Sequence, residues 1–196
     1  MWSALSNLGD AALTLPLAIA CAAWLAMSLA MSLAGWRSAT SWLTLLAAGA
    51  FMVGVTKILY AGCGIQIRAI DFRVISGHTM LASAVWPMAL ILCLPRRDNA
   101  QPRLALTLGL ALAAGIGTAR VFDDAHTVSE VIAGWGVGSL VTVLFVCWKN
   151  APVLPARFRP LAIASLLGIS TLAYGHHAPI QEAIDTYSPF LCGRGI

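Results

Sequence analysis

The chain has 196 residues, 59% of them hydrophobic and 10% charged, with a formal net charge of +4 and a mean hydropathy of +0.82. So much apolar surface cannot be hidden inside a water-soluble domain of this length, which excludes an ordinary soluble enzyme and points to the bilayer as a partner. The 12 Lys and Arg residues form no basic stripe interleaved with aromatics, which excludes nucleic acid as a partner.

Uncharged apolar runs at 11–34, 41–56, 79–95, 104–119, 131–148 and 161–175 predict an all-α integral membrane helical bundle of about six transmembrane helices. The first run is longer than the apolar part of a signal peptide and is read as a span. Polar turns are expected at 37–41, at 96–103 between Pro95 and Pro102, and at 150–160. None is long enough to separate domains, so 1–196 reads as one membrane-embedded domain. The longest internal loop, 61–75, carries Arg68, Asp71 and Arg73. Long loops in compact domains tend to be functional. In the fifth run Gly134 and Gly138 make a small-xxx-small pair suited to close helix approach.

Alternating spans place seven cations on one side: Arg37, Arg96, Arg97, Arg103, Lys149, Arg157 and Arg159. Five lie on the other: Lys57, Arg68, Arg73, Arg120 and Arg194. The more basic side is expected to be cytoplasmic. Lys57, Ser76, His78 and His126 then face outward, which for a bacterial inner membrane is the periplasm.

Chemistry concentrates in two segments. The first is Ser76-Gly77-His78; the second sets Arg120, His126 and Glu130 at spacings of six and four. At i and i+4 on a helix, His126 and Glu130 share a face. A carboxylate so placed can hold one imidazole nitrogen and aim the other outward as a nucleophile or base. Arg120 adds a planar cation suited to phosphate. Lys57, at the end of the second run, can snorkel to the interface or reach a phosphate; its place ahead of Ser-Gly-His favours the phosphate. Asp123 and Asp124 read as a solvated turn. His176 and His177, adjacent on a segment near the C-terminus, point apart and are not read as a metal pair.

These segments resemble the type 2 phosphatidic acid phosphatase superfamily of membrane lipid phosphatases, over roughly residues 57 to 138. That family's pattern is Lys-x6-Arg-Pro, then Pro-Ser-Gly-His, then Ser-Arg-x5-His-x3-Asp. Here Ile75 stands for the Pro, Ala119 for the Ser and Glu130 for the Asp. Lys57 matches the first Lys, but the Arg-Pro pair is absent, leaving Arg68 or Arg73 as the cation from the same loop.

The resemblance implies a metal-independent, cofactor-free phosphatase acting on a lipid phosphate or pyrophosphate, such as undecaprenyl pyrophosphate, phosphatidic acid or lipid A. In that mechanism His126 attacks phosphorus to form a phosphohistidine, Glu130 fixes its tautomer, and His78 protonates the leaving oxygen. Lys57, Ser76, Gly77, Arg120 and Arg68 would bind the phosphate. The alternatives are a lipid phosphotransferase using the same phosphohistidine, or a small non-catalytic transporter. A transporter would show charges near the middles of paired spans, whereas here they gather at span ends. The oligomeric state is left open. Finally, the topology puts Cys63 and Cys192 on the outer side, and in an oxidising compartment they are expected to pair, drawing the C-terminal segment over the site.

Overall fold

A computed structural model describes residues 2–28, 33–95, 101–149 and 154–192, with the backbone alone for Lys149, Leu191 and Cys192. The fold is an all-α bundle of α1 (Trp2–Ser6), α2 (Ala11–Ser28), α3 (Leu33–Cys63), α4 (Gly77–Cys93), α5 (Gln101–Phe122), α6 (Val128–Lys149), α7 (Arg159–Ala173) and α8 (Ile180–Tyr187). The remaining regular structure consists of short 3₁₀ turns, the last at Ser188–Cys192, and one isolated bridge between Ile67 and Phe72.

Helices α2, α3, α5 and α6 are long and apolar enough to cross a membrane. The expected third and sixth spans form as shorter helices, α4 with 17 residues and α7 with 15. Helix α4 is short because it is the centre of the bundle, not its lipid-facing wall. It packs against α2, α3, α5, α6 and α7, and its side chains from Thr79 to Leu92 are nearly all buried. The outer helices instead turn large apolar side chains outward, with Phe51 73% and Trp148 70% exposed. In a bilayer those surfaces face lipid.

The turn expected at 37–41 is helical and belongs to the start of α3. Its hydroxyls do not break the helix, because Thr40 and Ser41 donate back to the carbonyls of Trp36 and Arg37. The connection to α2 falls earlier, at residues outside those described. The turns expected at 96–103 and 150–160 likewise lie partly outside them.

Two local devices set the position of the site. Helix α3 stops where Gly64 takes φ 71°; its N–H donates to the Tyr60 carbonyl and that of Ile65 to Leu59. This closing motif needs a residue tolerant of the left-handed region. Helices α4 and α6 meet at Gly134 and Gly138, where a side-chain carbon would overlap the carbonyls of Ser76 and Met80 respectively. The small-residue pair thereby draws the start of α6 against the Ser76–His78 segment.

Candidate active site

The loop between α3 and α4 is fastened to the start of α6 chiefly through Glu130. Glu130 is fully buried, and its Oε1 accepts from the Arg73 N–H at 3.0 Å, Arg73 Nε at 3.1 Å and the Val74 N–H at 3.4 Å. Its Oε2 accepts from the Thr127 N–H at 3.2 Å and lies 2.7 Å from His126 Nδ1. Its backbone carbonyl takes the Ser76 N–H at 3.1 Å. Thr127 Oγ1 adds a bond to the Asp71 carbonyl at 2.8 Å, and Thr56 Oγ1 accepts from the Ile75 N–H at 3.1 Å. A buried carboxylate is tolerable only when its lone pairs are so committed.

His126 sits in the turn between α5 and α6, where its N–H and that of Ala125 donate to the Arg120 carbonyl at the end of α5. With Nδ1 taken by Glu130, Nε2 is the nitrogen left to react. The side chain is 9% exposed. Burial pushes the imidazole down to about 4, against the opposing pull of the Glu130 hydrogen bond and with a further push from Arg120. At neutral pH it is therefore an uncharged imidazole with a free lone pair, the form a nucleophile requires.

A cavity of about 530 Å³ opens in front of this pair, lined by Lys57, Tyr60, Arg73, His78, Arg120, His126, Glu130, Gln181 and Asp185. Lys57 Nζ donates to Gln181 Oε1 of α8 at 2.7 Å. Arg120 Nη1 donates to Ser6 Oγ of α1 at 3.1 Å, while its Nε is buried with no protein partner among the described residues. Arg73, held by Nε on Glu130 and bonded also to Tyr60, lines the cavity. Three cations and two histidines thus meet at one end of the bundle.

Not every residue singled out from the sequence lines this space. Ser76 is fully buried and its hydroxyl is 3.0 Å from Thr79 Oγ1; what it gives the site is its backbone tie to Glu130. Gly77 lines a neighbouring apolar chamber of about 220 Å³, walled by Leu15, Val53, Met80, Ile180 and Ile184 and sharing Lys57, His78 and Gln181 with the first. Arg68 is exposed in the 3₁₀ turn Arg68–Ile70 and does not line the cavity. Of the two loop cations, Arg73 is the one there. Asp123 and Asp124 are exposed, Asp124 with φ 53°. Cys63 is disulfide-bonded, and Cys21, Cys93 and Cys147 are free. The side chain of the expected partner, Cys192, lies outside the described ones. The backbone of its turn packs against α3, where Ser188 crowds Gly62.

Sequence reasoning missed Asp10, Ser6, Gln181 and Asp185. Asp10 caps α2, with Oδ1 accepting from the Ala12 N–H at 2.8 Å and the Ala178 N–H at 3.2 Å. Its Oδ2 lies 3.0 Å from His177 Nδ1 and 3.4 Å from His78 Nε2. Burial pushes its carboxyl up, but the bonds from His78, His177, Ala12 and Ala178 outweigh burial and hold it well below the usual range. An acid directly ahead of an apolar run was a legible helix cap; its histidine partners, 68 and 167 residues away, were not.

These residues build an apolar, all-α membrane bundle with a cation-lined, histidine-bearing cavity at its rim. The sequence profile of the PAP2 superfamily matches residues 61–154. A Klebsiella pneumoniae protein described as an uncharacterized 22.5 kDa protein in cps region is 33% identical over 187 residues, covering 93% of this chain and 88% of its own. The chain belongs to the PAP2 superfamily, a superfamily generally associated with phosphatase activity. No solved structure matches it.

Proposed function

We propose that this protein is an integral membrane lipid phosphatase that hydrolyses a phosphate or pyrophosphate monoester of a lipid through a phosphohistidine on His126. The observation that carries the reading is the fixing of His126 Nδ1 by Glu130 inside a cavity that also holds Lys57, Arg73 and Arg120. His126 Nε2 attacks phosphorus and the bond to the leaving oxygen breaks as His78 delivers a proton to that oxygen. Water then attacks phosphorus, giving a proton to His78, as the phosphorus–nitrogen bond breaks to free His126 and release phosphate. The three cations face the equatorial oxygens, where transition-state charge collects. They supply the electrostatic role that a metal has elsewhere, so turnover is expected to persist in EDTA and to be inhibited by vanadate.

The amphiphilic substrate is supported by the apolar chamber adjoining the polar cavity through Lys57, His78 and Gln181. A site at the bundle rim takes phosphate from water and a tail from lipid. By the distribution of loop cations this rim faces the periplasm of an inner membrane. The test is phosphate release by purified protein in detergent from undecaprenyl pyrophosphate, phosphatidic acid and lipid A. Release from one or more in EDTA is expected. Release from none, or strict dependence on added magnesium or zinc, overturns the reading. Transfer of the phosphate to a lipid alcohol in place of water would assign the same residues to a phosphotransferase.

A further inference from the structure

Both histidines facing the cavity are held by a buried carboxylate, yet only one of the two pairs belongs to the sequence motifs. Glu130 holds His126; Asp10, from the start of α2, holds His78. The Asp10 carboxylate cannot swing, because Ala12, Ala178 and His177 fix both its oxygens. Its side chain is 7% exposed. With Nε2 of His78 turned to Asp10, Nδ1 is the nitrogen left without a protein partner among the described residues.

We infer that Asp10 is the positioning residue of His78, setting which of its nitrogens faces the leaving oxygen and stabilising the imidazolium that donates the proton. This rests on the reading that His78 protonates the leaving group. The pull is needed because burial, and after it the other charges around His78, oppose its protonated form. Arg120 from α5 and Lys57 from α3 are both cationic and face it. Of the other carboxylates at this end, Glu130 of α6 is committed to His126 and Arg73, and Asp185 of α8, which lines the same cavity, accepts from Gln181 Nε2. His177, from the segment after α7, shares Asp10 as a donor and steadies it. The N-terminal end of the chain thus belongs to the acid–base machinery, though it lies outside the matched motifs.

The experiment pairs Asp10→Asn with two readouts. Asn keeps the helix cap, since it accepts from the Ala12 N–H as Asp does. In protein labelled with ¹⁵N-histidine in detergent, the His78 midpoint is expected to fall by about one pH unit while that of His126 stays in place. On dodecyl phosphate, whose alkoxide leaves poorly, Asp10→Asn is expected to cost about 10²-fold in kcat. On p-nitrophenyl phosphate, whose phenolate leaves unaided, the loss is expected to stay below roughly 5-fold. A merely structural role for Asp10 would lower both substrates equally. An unmoved His78 midpoint, or equal losses on the two phosphates, overturns the inference. If Asp10→Asn does not fold, Asp10→Ser retains a capping oxygen and carries the same readouts. The titration needs no turnover, so a wild-type protein inactive on both phosphates would count against the lipid phosphatase reading alone.

Discussion

The two carboxylate–histidine pairs do the same physical job by opposite routes. Glu130 and His126 are four residues apart, so the first turn of α6 and the turn before it bring them to 2.7 Å. Asp10 and His78 come from α2 and α4 and meet only because those helices pack against each other. The local pair is closer and is anchored to the α3–α4 loop by three further donors. The non-local pair stands at 3.4 Å and leans on the chain beyond α7. Nucleophile chemistry therefore depends on one short segment, while acid chemistry depends on the assembled bundle.

The sharpest way to break this contrast is at its local half. His126→Ala removes the group that forms the covalent intermediate, and turnover is expected to fall at least about 10⁴-fold with the bundle intact by circular dichroism. Wild-type-like phosphate release from folded His126→Ala would remove the mechanism. Glu130→Gln keeps the shape but loses the charge, and an amide nitrogen must now face donors. A loss of about 10²–10⁴-fold in kcat is expected, along with a lower midpoint of thermal unfolding, because the ties to Arg73, Val74 and Thr127 weaken. An unchanged midpoint would mean that Glu130 does not staple the loop.

Packing can be tested apart from chemistry. Gly138→Val forces a branched side chain into the Met80 carbonyl, with an expected cost of about 2–4 kcal/mol in unfolding from detergent. Little change would deny the α4–α6 contact its role in placing the site.

A smaller effect comes from pH. An unfolded His titrates near 6.5, whereas folded His126 is pushed down to about 4. Between those values the unfolded chain binds a proton that the folded one refuses. The stability contributed by neutral His126 is therefore complete above about pH 6.5 and is lost as pH falls towards 4. Denaturant unfolding across that range should show the decline, and His126→Gln should flatten it. Asp10, held well below the usual carboxylate range, acts in the same direction at still lower pH.

What could be read from the sequence follows the same division. The apolar runs, the His126–Glu130 spacing and the Gly134–Gly138 pair are short-range patterns. All six runs became helices, though among the described residues only four are long enough to span. The glycine pair became a close contact, and His126 meets Glu130 from the turn ahead of α6 instead of from the helix itself. The turn at 37–41 did not form, because hydroxyls that look like loop residues found carbonyls inside a helix. Arg68 and Arg73 looked equivalent in a loop of unknown path; only the staple to Glu130 decides which cation turns inward. Asp10, Ser6 and Gln181 gave no local signal for the site, since their partners lie 68, 114 and 124 residues away.

The central claim is that phosphate passes through His126. Protein turning over ³²P-labelled phosphatidic acid, or whichever of the lipid phosphates tested it cleaves, should be quenched in alkali, which preserves phosphohistidine, and then digested and mapped. The account predicts an acid-labile label on the peptide bearing His126, absent from His126→Ala and present in Asp10→Asn. Active wild-type protein that carries no label there, or a label that survives in His126→Ala, would contradict it.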